Sequence, residues 1–308
     1  MNVPSGPQVS IVIPCFNQGH FLAECLASLL SQSFGDWEAI VVDDASADAD
    51  INAVVEQLHD DRCRVVQHTI NRGQGAARNT GFREARASLV VPVDSDDILH
   101  PDFLSTVLRP FHDSPMVDGV FTDFHLFGLD DEVWHYDSDL TLRDMLLAQW
   151  IPGAGTAMRR SVWERVQGYC EERALVGNED WDFWISALSA DLNVVHIPLP
   201  LYLYRKHEQS VSAFSIRYDE HRQRELLYRR HKALYDQYQL GGQFRAVGYF
   251  NSAVFSWQVG ERRRAVRLAG AALRIRGVAR PFLSTTARAS ARRAITHGEQ
   301  WRARVLRS

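Results

Sequence analysis

Two aspartates separated by one residue, Asp94 and Asp96, form an acidic pair that can bind a metal ion. In an extended chain, side chains two residues apart point to the same side, so both carboxylates can face one point. Neighbouring carboxylates repel each other unless a proton or a cation separates them. A divalent cation such as Mg²⁺ or Mn²⁺ binds carboxylates and completes its coordination with substrate phosphate oxygens. The alternative is an acidic turn that caps the helix expected near 101–104.

A second acidic pair, Glu179 and Asp180, directly precedes the aromatic segment 181–184. Partial removal from water makes a carboxylate more basic, as a general base requires. The alternative is a helix start, with Asn178 as the cap and the acidic residues in the first turn. The two interpretations are compatible, because a helix start can hold a carboxylate at the edge of a cleft.

The segment from Gly73 to Arg78 contains two glycines, but it does not match a dinucleotide-binding fingerprint. That fingerprint needs a third glycine where Arg78 stands, and it needs to follow the first strand. The glycines still allow the backbone to approach a ligand closely, and Arg78 suits a phosphate or a carboxylate. Later in the chain, His207 lies in a basic segment and is either a neutral metal ligand or a solvated histidine.

Strands and helices with apolar faces must position these polar residues. Their periodicity predicts strands over 9–14, 38–42, 64–67 and 89–93, and helices over 19–32 and 51–58 and from about 75. Strands and helices in alternation predict an α/β fold, with a parallel sheet covered by helices on both faces. Ligands of open parallel sheets bind beyond the carboxyl ends of the strands. Candidate residues follow four of these strands: Phe16, Asn17, Asp43, Asp44, Gly73, Asp94, Ser95 and Asp96.

The composition is that of an ordinary globular protein. Of 308 residues, 45% are hydrophobic and 23% are charged, which excludes a largely disordered or collagen-like chain. No segment has the ~20 apolar residues that a membrane-spanning helix needs, and the first ten residues do not resemble a secretory signal. The four cysteines lack disulfide or zinc spacing. These features predict reduced thiols and a cytoplasmic protein.

The C-terminal part is strongly basic although the whole chain has a net charge of −4. Residues 241–308 hold 14 arginines, no lysine and two acidic residues. Within them Val266, Ala269, Leu273 and Ile275 can form an apolar stripe among arginines. This pattern fits either a basic helix on the surface of an anionic membrane or a packing helix, for example in a homodimer. The acidic remainder and the lack of a recognised binding module argue against a nucleic-acid partner.

Several segments between residues 9 and 212 together resemble, in order, the family 2 glycosyltransferases of the GT-A fold. Each segment is short, but the ordered set is specific to that family. They are Val9–Asn17, Ser31–Phe34, Val41–Ser46, Asn71–Gly73, Ala77–Gly81, Asp94–Asp97, Glu179–Asp180 and Tyr204–His207.

The resemblance implies a GT-A fold, which is Rossmann-like, with a mostly parallel central sheet and helices on both faces. It implies a nucleotide-sugar-binding half over 1–114 and an acceptor-binding half over 115–215, followed by a helical, Arg-rich extension over 216–308. It also implies inverting transfer of a sugar from a nucleotide diphosphate, most often UDP, with Mn²⁺ or Mg²⁺. The acceptor would be a hydroxyl group of a glycan or a lipid-linked molecule, in the synthesis of cell-surface polysaccharide or glycoconjugate.

Residue roles also follow from the resemblance. Phe16 would stack on the nucleobase, and Asp44 would accept its ring N–H. Asp180 would be the catalytic base, with Glu179 positioning the base or the acceptor. The metal-bound diphosphate and the ribose would be held by Asp94 and Asp96, with Asp96 as the direct metal ligand and His207 completing the metal site. Other residues of the nucleotide-sugar site would be Pro14, Asn17, Gly73, Arg78 and Ser95.

Two other functions remain to be compared with this one. A sugar-nucleotide nucleotidyltransferase would carry a glycine-rich, basic phosphate loop after the first strand, where this chain has Phe16–Gly19. A noncatalytic nucleotide-sugar-binding module would not need the Glu179–Asp180 pair. Four tryptophans either stack on sugar rings or pack in the core: Trp134, Trp150, Trp181 and Trp184.

Overall fold

The computed structural model describes residues 6–136, 141–207 and 215–275. The chain forms two compact units, Met1–Glu208 and Gln209–Ser308. The acidic and aromatic candidates all lie in the first unit, and the basic stripe lies in the second.

The first unit begins with the predicted alternation of strands and helices. Every residue of the first two strands is buried, which explains their continuous apolar sequences. The elements are β1 (Val9–Cys15), α1 (Gly19–Leu30), β2 (Trp37–Asp43), α2 (Ile51–Glu56), β3 (Cys63–Gln67), α3 (Gln74–Glu84), β4 (Leu89–Pro92) and β5 (Ile98–Leu99). The predictions of strands and helices over this part are confirmed.

The remainder of the first unit is less regular. It contains α4 (Phe103–Asp113), β6 (Gly119–Gly128), β7 (Glu132–Trp134), α5 (Leu142–Met145), β8 (Ala157–Arg159), α6 (Arg160–Arg165), a 3-10 turn (Arg173–Leu175), α7 (Glu179–Leu188) and β9 (Val194–Lys206). Helix α7 therefore begins at the second acidic pair, as one of the two compatible interpretations expected.

The nine strands form one mixed sheet in the order β3-β2-β1-β4-β8-β6-β9-β5, with β7 paired to β6. Strands β1 to β4 are parallel, as predicted, and β6 and β9 form a further parallel pair. Strands β5, β7 and β8 are antiparallel to their neighbours. Pro92 is tolerated at the end of β4, where its carbonyl oxygen accepts a hydrogen bond from Gly155 N at 2.8 Å.

The second unit is helical over its described residues. It contains α8 (Ser215–Arg230), α9 (Lys232–Gln237), α10 (Gly241–Gln258) and α11 (Arg262–Arg274). Helix α11 packs on α10, with Ala265, Leu268 and Ala272 buried. Val266 and Leu273, the two larger side chains of the expected apolar stripe, are 67% and 65% exposed, so they do not pack within this unit. The membrane and homodimer interpretations of the stripe both need exposed side chains. The remaining Arg-rich residues, 276–308, lie outside the described residues.

Candidate active site

The loops after β1 and β2 are joined to each other at the carboxyl edge of the sheet. Asn17, which has a φ of 52°, accepts a hydrogen bond on Oδ1 from Ala47 N at 2.8 Å. Its own backbone N donates to Ser46 Oγ at 3.1 Å. Phe16 is 45% exposed directly after the buried strand β1, which also contains the buried Pro14. An exposed aromatic ring thus stands at this edge, where it can stack on a flat ligand.

Asp44 is buried below this edge and already accepts three hydrogen bonds. They come from the backbone N of Arg72 at 2.8 Å, from Gly73 N at 2.7 Å and from His68 Nδ1 at 2.7 Å. Gly73 has a φ of 93°, a conformation that favours glycine. Because a carboxylate has about four lone-pair sites, roughly one remains for a ligand. Asp44 does not cap the next helix, whose cap is Asp50.

Arg78 joins the two acidic pairs. Its Nη2 donates to Asp94 Oδ1 at 2.9 Å, and its Nη1 donates to Glu179 Oε1 at 3.1 Å. Arg78 and Glu179 are each 2% exposed, so their ion pair is shielded from water, whereas the Asp94 side chain is 22% exposed. Burial of a charged guanidinium is tolerated when carboxylates pair with it. One guanidinium therefore brings the loop after β4 to the first turn of α7.

Asp96 and Ser95 interact with a residue that the sequence did not single out. Gln18 donates through Nε2 to Asp96 Oδ2 at 3.2 Å, and Ser95 Oγ donates to Gln18 Oε1 at 2.6 Å. Asp96 Oδ2 also lies 2.8 Å from His207 Nε2. His207, from the end of β9, thus reaches the acidic loop, as the proposed metal site requires.

The donor set at Asp96 fits a divalent cation. A carboxylate oxygen and an imidazole nitrogen are both ligands that Mn²⁺ accepts. Burial, and next the charge of Asp94, raise the pKa of Asp96, so a cation there would relieve the repulsion. Over the described part of the chain, no three His, Cys, Asp or Glu side chains form a metal-binding group. Asp96 and His207 would supply two ligands, and an ion held there would need further ligands.

Asp97, the next residue, has a structural role. Its carboxylate is buried and accepts hydrogen bonds from Tyr202 Oη at 2.6 Å and from Arg205 N at 2.8 Å. Tyr202 Oη in turn accepts a hydrogen bond from Asp94 N at 3.2 Å. These contacts tie the acidic loop to β9 and fix where Asp94 and Asp96 lie.

Asp180 is held on both carboxylate oxygens. Oδ2 accepts a hydrogen bond from Gln149 Nε2 at 2.7 Å, and Oδ1 accepts one from Trp181 N at 2.8 Å. Gly153 leaves room for it, because a Cβ atom at this position would lie 2.1 Å from Asp180 Oδ2. Asn178 occupies the N-cap position of α7 and the acidic residues lie in its first turn, as the helix-start interpretation expected, although the Asn178 side chain makes no capping hydrogen bond to the helix. No motif in the sequence indicated Gln149 or Gly153.

The second acidic pair has raised pKa values, and a pH dependence follows from them. Burial raises the pKa of Glu179 to about 7, and burial also raises the pKa of Asp180. A base must be deprotonated, so we predict that kcat/KM falls about tenfold per pH unit below the apparent pKa of the pair. Arg78 lowers both pKa values. Arg78→Gln should therefore move the acidic limb of the kcat/KM profile to higher pH, and Arg78→Lys should move it less. A pH profile that is flat between about 5 and 8 would contradict this assignment.

The chain belongs to glycosyl transferase family 2, whose family model matches residues 10–174. That range runs from the second residue of β1 into the 3-10 turn, and it contains Arg78, Asp94 and Asp96. The resemblance found in the sequence motifs is thus confirmed at the level of the family.

Relatives and solved structures agree with this membership. The chain is 29% identical over 218 residues to the putative glycosyltransferase EpsH of Bacillus subtilis, covering 67% of this chain but only 62% of EpsH. It is similar in fold to S. aureus TarS in complex with UDP-GlcNAc, with a TM-score of 0.63, 18% identity and coverage of 96% and 92% of the two chains. The mannosyltransferase PcManGT from Pyrobaculum calidifontis, in complex with GDP-Man and Mn²⁺, gives a TM-score of 0.59, 19% identity and coverage of 96% and 88%. The predicted GT-A fold is confirmed.

Proposed function

We propose that this protein is an inverting glycosyltransferase that uses a nucleotide-diphosphate sugar, UDP-linked, as its donor. The acceptor is a hydroxyl group of a glycan or of a lipid-linked molecule, in the synthesis of cell-surface polysaccharide or glycoconjugate. The observation that carries this proposal is the bridge of Arg78 between Asp94 and Glu179, directly beside Asp180. A donor-side acidic loop and a candidate base therefore lie at one site.

On the donor side, Phe16 is placed to stack on the nucleobase, and the remaining lone pair of Asp44 is the candidate acceptor for the ring N–H. Asp94 is held by Arg78, so we assign it to the ribose, and we assign Asp96 and His207 to the metal ion. Bound there, Mn²⁺ or Mg²⁺ would neutralise charge on the departing diphosphate. The complexes of TarS with UDP-GlcNAc and of PcManGT with GDP-Man support a nucleotide-diphosphate sugar as donor, and the TarS complex supports UDP.

On the acceptor side, we assign Asp180 as the base that takes the proton of the attacking hydroxyl. Gln149 and the backbone of Trp181 orient its carboxylate, and the raised pKa makes it a stronger base. Glu179, fixed by Arg78 and by Gly177 N at 2.6 Å, acts as a positioning residue for this base. Attack from the face opposite the diphosphate would invert the anomeric centre.

We also propose that residues 1–114 bind the nucleotide sugar, residues 115–215 bind the acceptor, and residues 216–308 form a separate extension. The direct test is a thermal-shift screen of nucleotide sugars with Mn²⁺, because a ligand that binds the folded state raises the melting temperature. We expect a UDP-sugar to raise the melting temperature more than sugars that carry no UDP. Failure of every nucleotide sugar to stabilise it would contradict the proposed function.

A cytoplasmic location at the membrane surface is a further part of this proposal. None of the four cysteines, all of which the structure describes, forms a disulfide bond, as is usual in reducing compartments. None of the helices among the described residues is long and apolar enough to cross a bilayer.

Helix α11 exposes Val266 and Leu273 on the side away from α10, and Trp257 at the end of α10 is 56% exposed. Helix α11 also carries four exposed arginines, and the Arg262 guanidinium lies over the Trp257 ring, 5.3 Å from its centroid. They are Arg262, Arg263, Arg267 and Arg274. Charge and apolar area together suit an anionic lipid surface.

We predict that the double variant V266Q/L273Q floats less with phosphatidylserine-containing vesicles than the unchanged protein does. The matched control is Met116→Gln, which removes an apolar side chain that is 72% exposed in the first unit. Equal flotation of all three proteins, or flotation of none, would refute the proposed contact with the membrane. A lower molecular mass of the double variant in light scattering would instead assign the patch to a homodimer contact.

A further inference from the structure

The structure separates the four candidate sugar-stacking tryptophans into two groups. Trp181 and Trp184 are 5% and 0% exposed, so they belong to the core. Trp134 and Trp150 are 52% and 38% exposed. Exposed tryptophan rings on a glycosyltransferase are costly to leave in water, and they are suited to bind the apolar face of a sugar.

Trp134 stands at the outer end of a group of aromatic rings that reaches the acidic loop. Its ring is parallel to that of Tyr136 within 10°, with centroids 6.2 Å apart. Tyr136 contacts Phe124 edge-on at 5.5 Å, and Phe124 stacks on Tyr202 at 4.6 Å. Tyr202 Oη is the group that bonds Asp97 and Asp94. Packed side chains therefore connect Trp134 with the loop that carries the donor-side acids.

Tyr136 also lies within electrostatic reach of the candidate base. Burial is the main reason that its pKa is raised, and the negative charge of Asp180 contributes to the same shift. Trp134 thus stands next to a residue that lies near Asp180, on the acceptor-binding half. A sugar ring on Trp134 would extend the group of aromatic rings that reaches the acidic loop.

A buried carboxylate fixes this segment in place. Asp123, which is 0% exposed, lies where the register of β6 against β9 shifts. Its Oδ1 accepts a hydrogen bond from Tyr136 N at 3.1 Å, and its oxygens lie 2.7 Å from His135 Nδ1 and from His196 Nε2. Bulges commonly re-aim side chains beside functional sites. His135 and Tyr136, the two residues after Trp134, are therefore anchored, as a preformed binding surface requires.

We propose that Trp134, supported by Tyr136, is the platform on which a pyranose ring of the acceptor stacks. This inference rests on the proposed function and narrows it. The acceptor then already carries a sugar, and the reaction is the extension of a glycan. Another glycosyltransferase must act earlier in the sequence to supply that first sugar.

The test uses saturation-transfer NMR with three disaccharides, cellobiose, lactose and chitobiose, added to the full chain with UDP and Mn²⁺. We expect at least one to bind, and we expect Trp134→Ala to weaken that binding about tenfold while Trp134→Phe retains most of it. Val133→Ala on the same strand and Trp257→Ala in the second unit are the controls, since both side chains are exposed, at 40% and 56%. UDP affinity should be the same in all variants.

Unchanged disaccharide binding in Trp134→Ala would overturn the proposal, and so would an equal loss in either control. Failure of all three disaccharides to bind the unchanged protein would also overturn it. The proposed function is tested separately, because it fails only if no nucleotide sugar stabilises the protein. If the protein binds a nucleotide sugar and Trp134→Ala binds disaccharides as the unchanged protein does, only the proposed role of Trp134 is refuted.

Discussion

Asp180→Asn is expected to bind nucleotide sugar as the unchanged protein does and to lose turnover by a factor of about 10² to 10⁴, the usual contribution of a general base. Asparagine can keep the hydrogen bond from Trp181 N and fills the space that Gly153 leaves. It cannot accept the proton of the attacking hydroxyl. Loss of turnover without loss of affinity is the result that distinguishes a base from a binding residue.

The measurement is the rate of nucleotide diphosphate release in the presence of acceptor, together with donor affinity from calorimetry. Glu172→Gln is the matched control, because it removes an exposed carboxylate a few residues earlier in the chain. Transfer by Asp180→Asn at the rate of the unchanged protein would show that the base has been misassigned.

Asp96→Asn is expected to lower the affinity for UDP at least about tenfold in Mn²⁺, by analogy with changes near metal ligands. Its Oδ2 lies between His207 and Gln18, and the amide would keep these neighbours while losing the negative charge. In EDTA the affinity for UDP should be the same for the variant and the unchanged protein. The loss is therefore expected only when the metal is present.

Calorimetric titration of UDP in Mn²⁺ and in EDTA measures both affinities. Asp102→Asn serves as the control, since Asp102 is an exposed acidic residue shortly after the same loop. If Asp96→Asn binds UDP in Mn²⁺ as tightly as the unchanged protein, Asp96 is not the metal ligand.

The first half of the fold could be predicted from the sequence because its strands are buried on both faces. Continuous apolar segments such as Val9–Cys15 and Trp37–Asp43 have few alternatives to a covered parallel sheet. The carboxyl ends of parallel strands share one edge, so the polar residues after them had to lie near each other. Phe16, Asp44 and Asp94 follow directly from this rule.

The contacts that complete the site depend on residues far apart in the chain, which local patterns do not encode. Arg78 and Glu179 are 101 positions apart, and Gln18 and Asp96 are 78 apart. Arg78, an arginine in a helix of small residues, was the sequence feature that indicated an ion pair. Its two partners, Asp94 and Glu179, were not predictable from the sequence. The sequence did not predict which side of α11 packs, because the buried residues are Ala265, Leu268 and Ala272 rather than Val266 and Leu273.

A crystal structure of the protein with UDP and Mn²⁺, with the anomalous signal recorded at the manganese edge, tests the central claim most directly. We expect the anomalous peak beside Asp96, with the uracil ring on Phe16 and the diphosphate facing the same cleft as the Asp180 carboxylate. A manganese peak and nucleotide located away from Asp96, or a diphosphate that the body of the protein separates from Asp180, would contradict it.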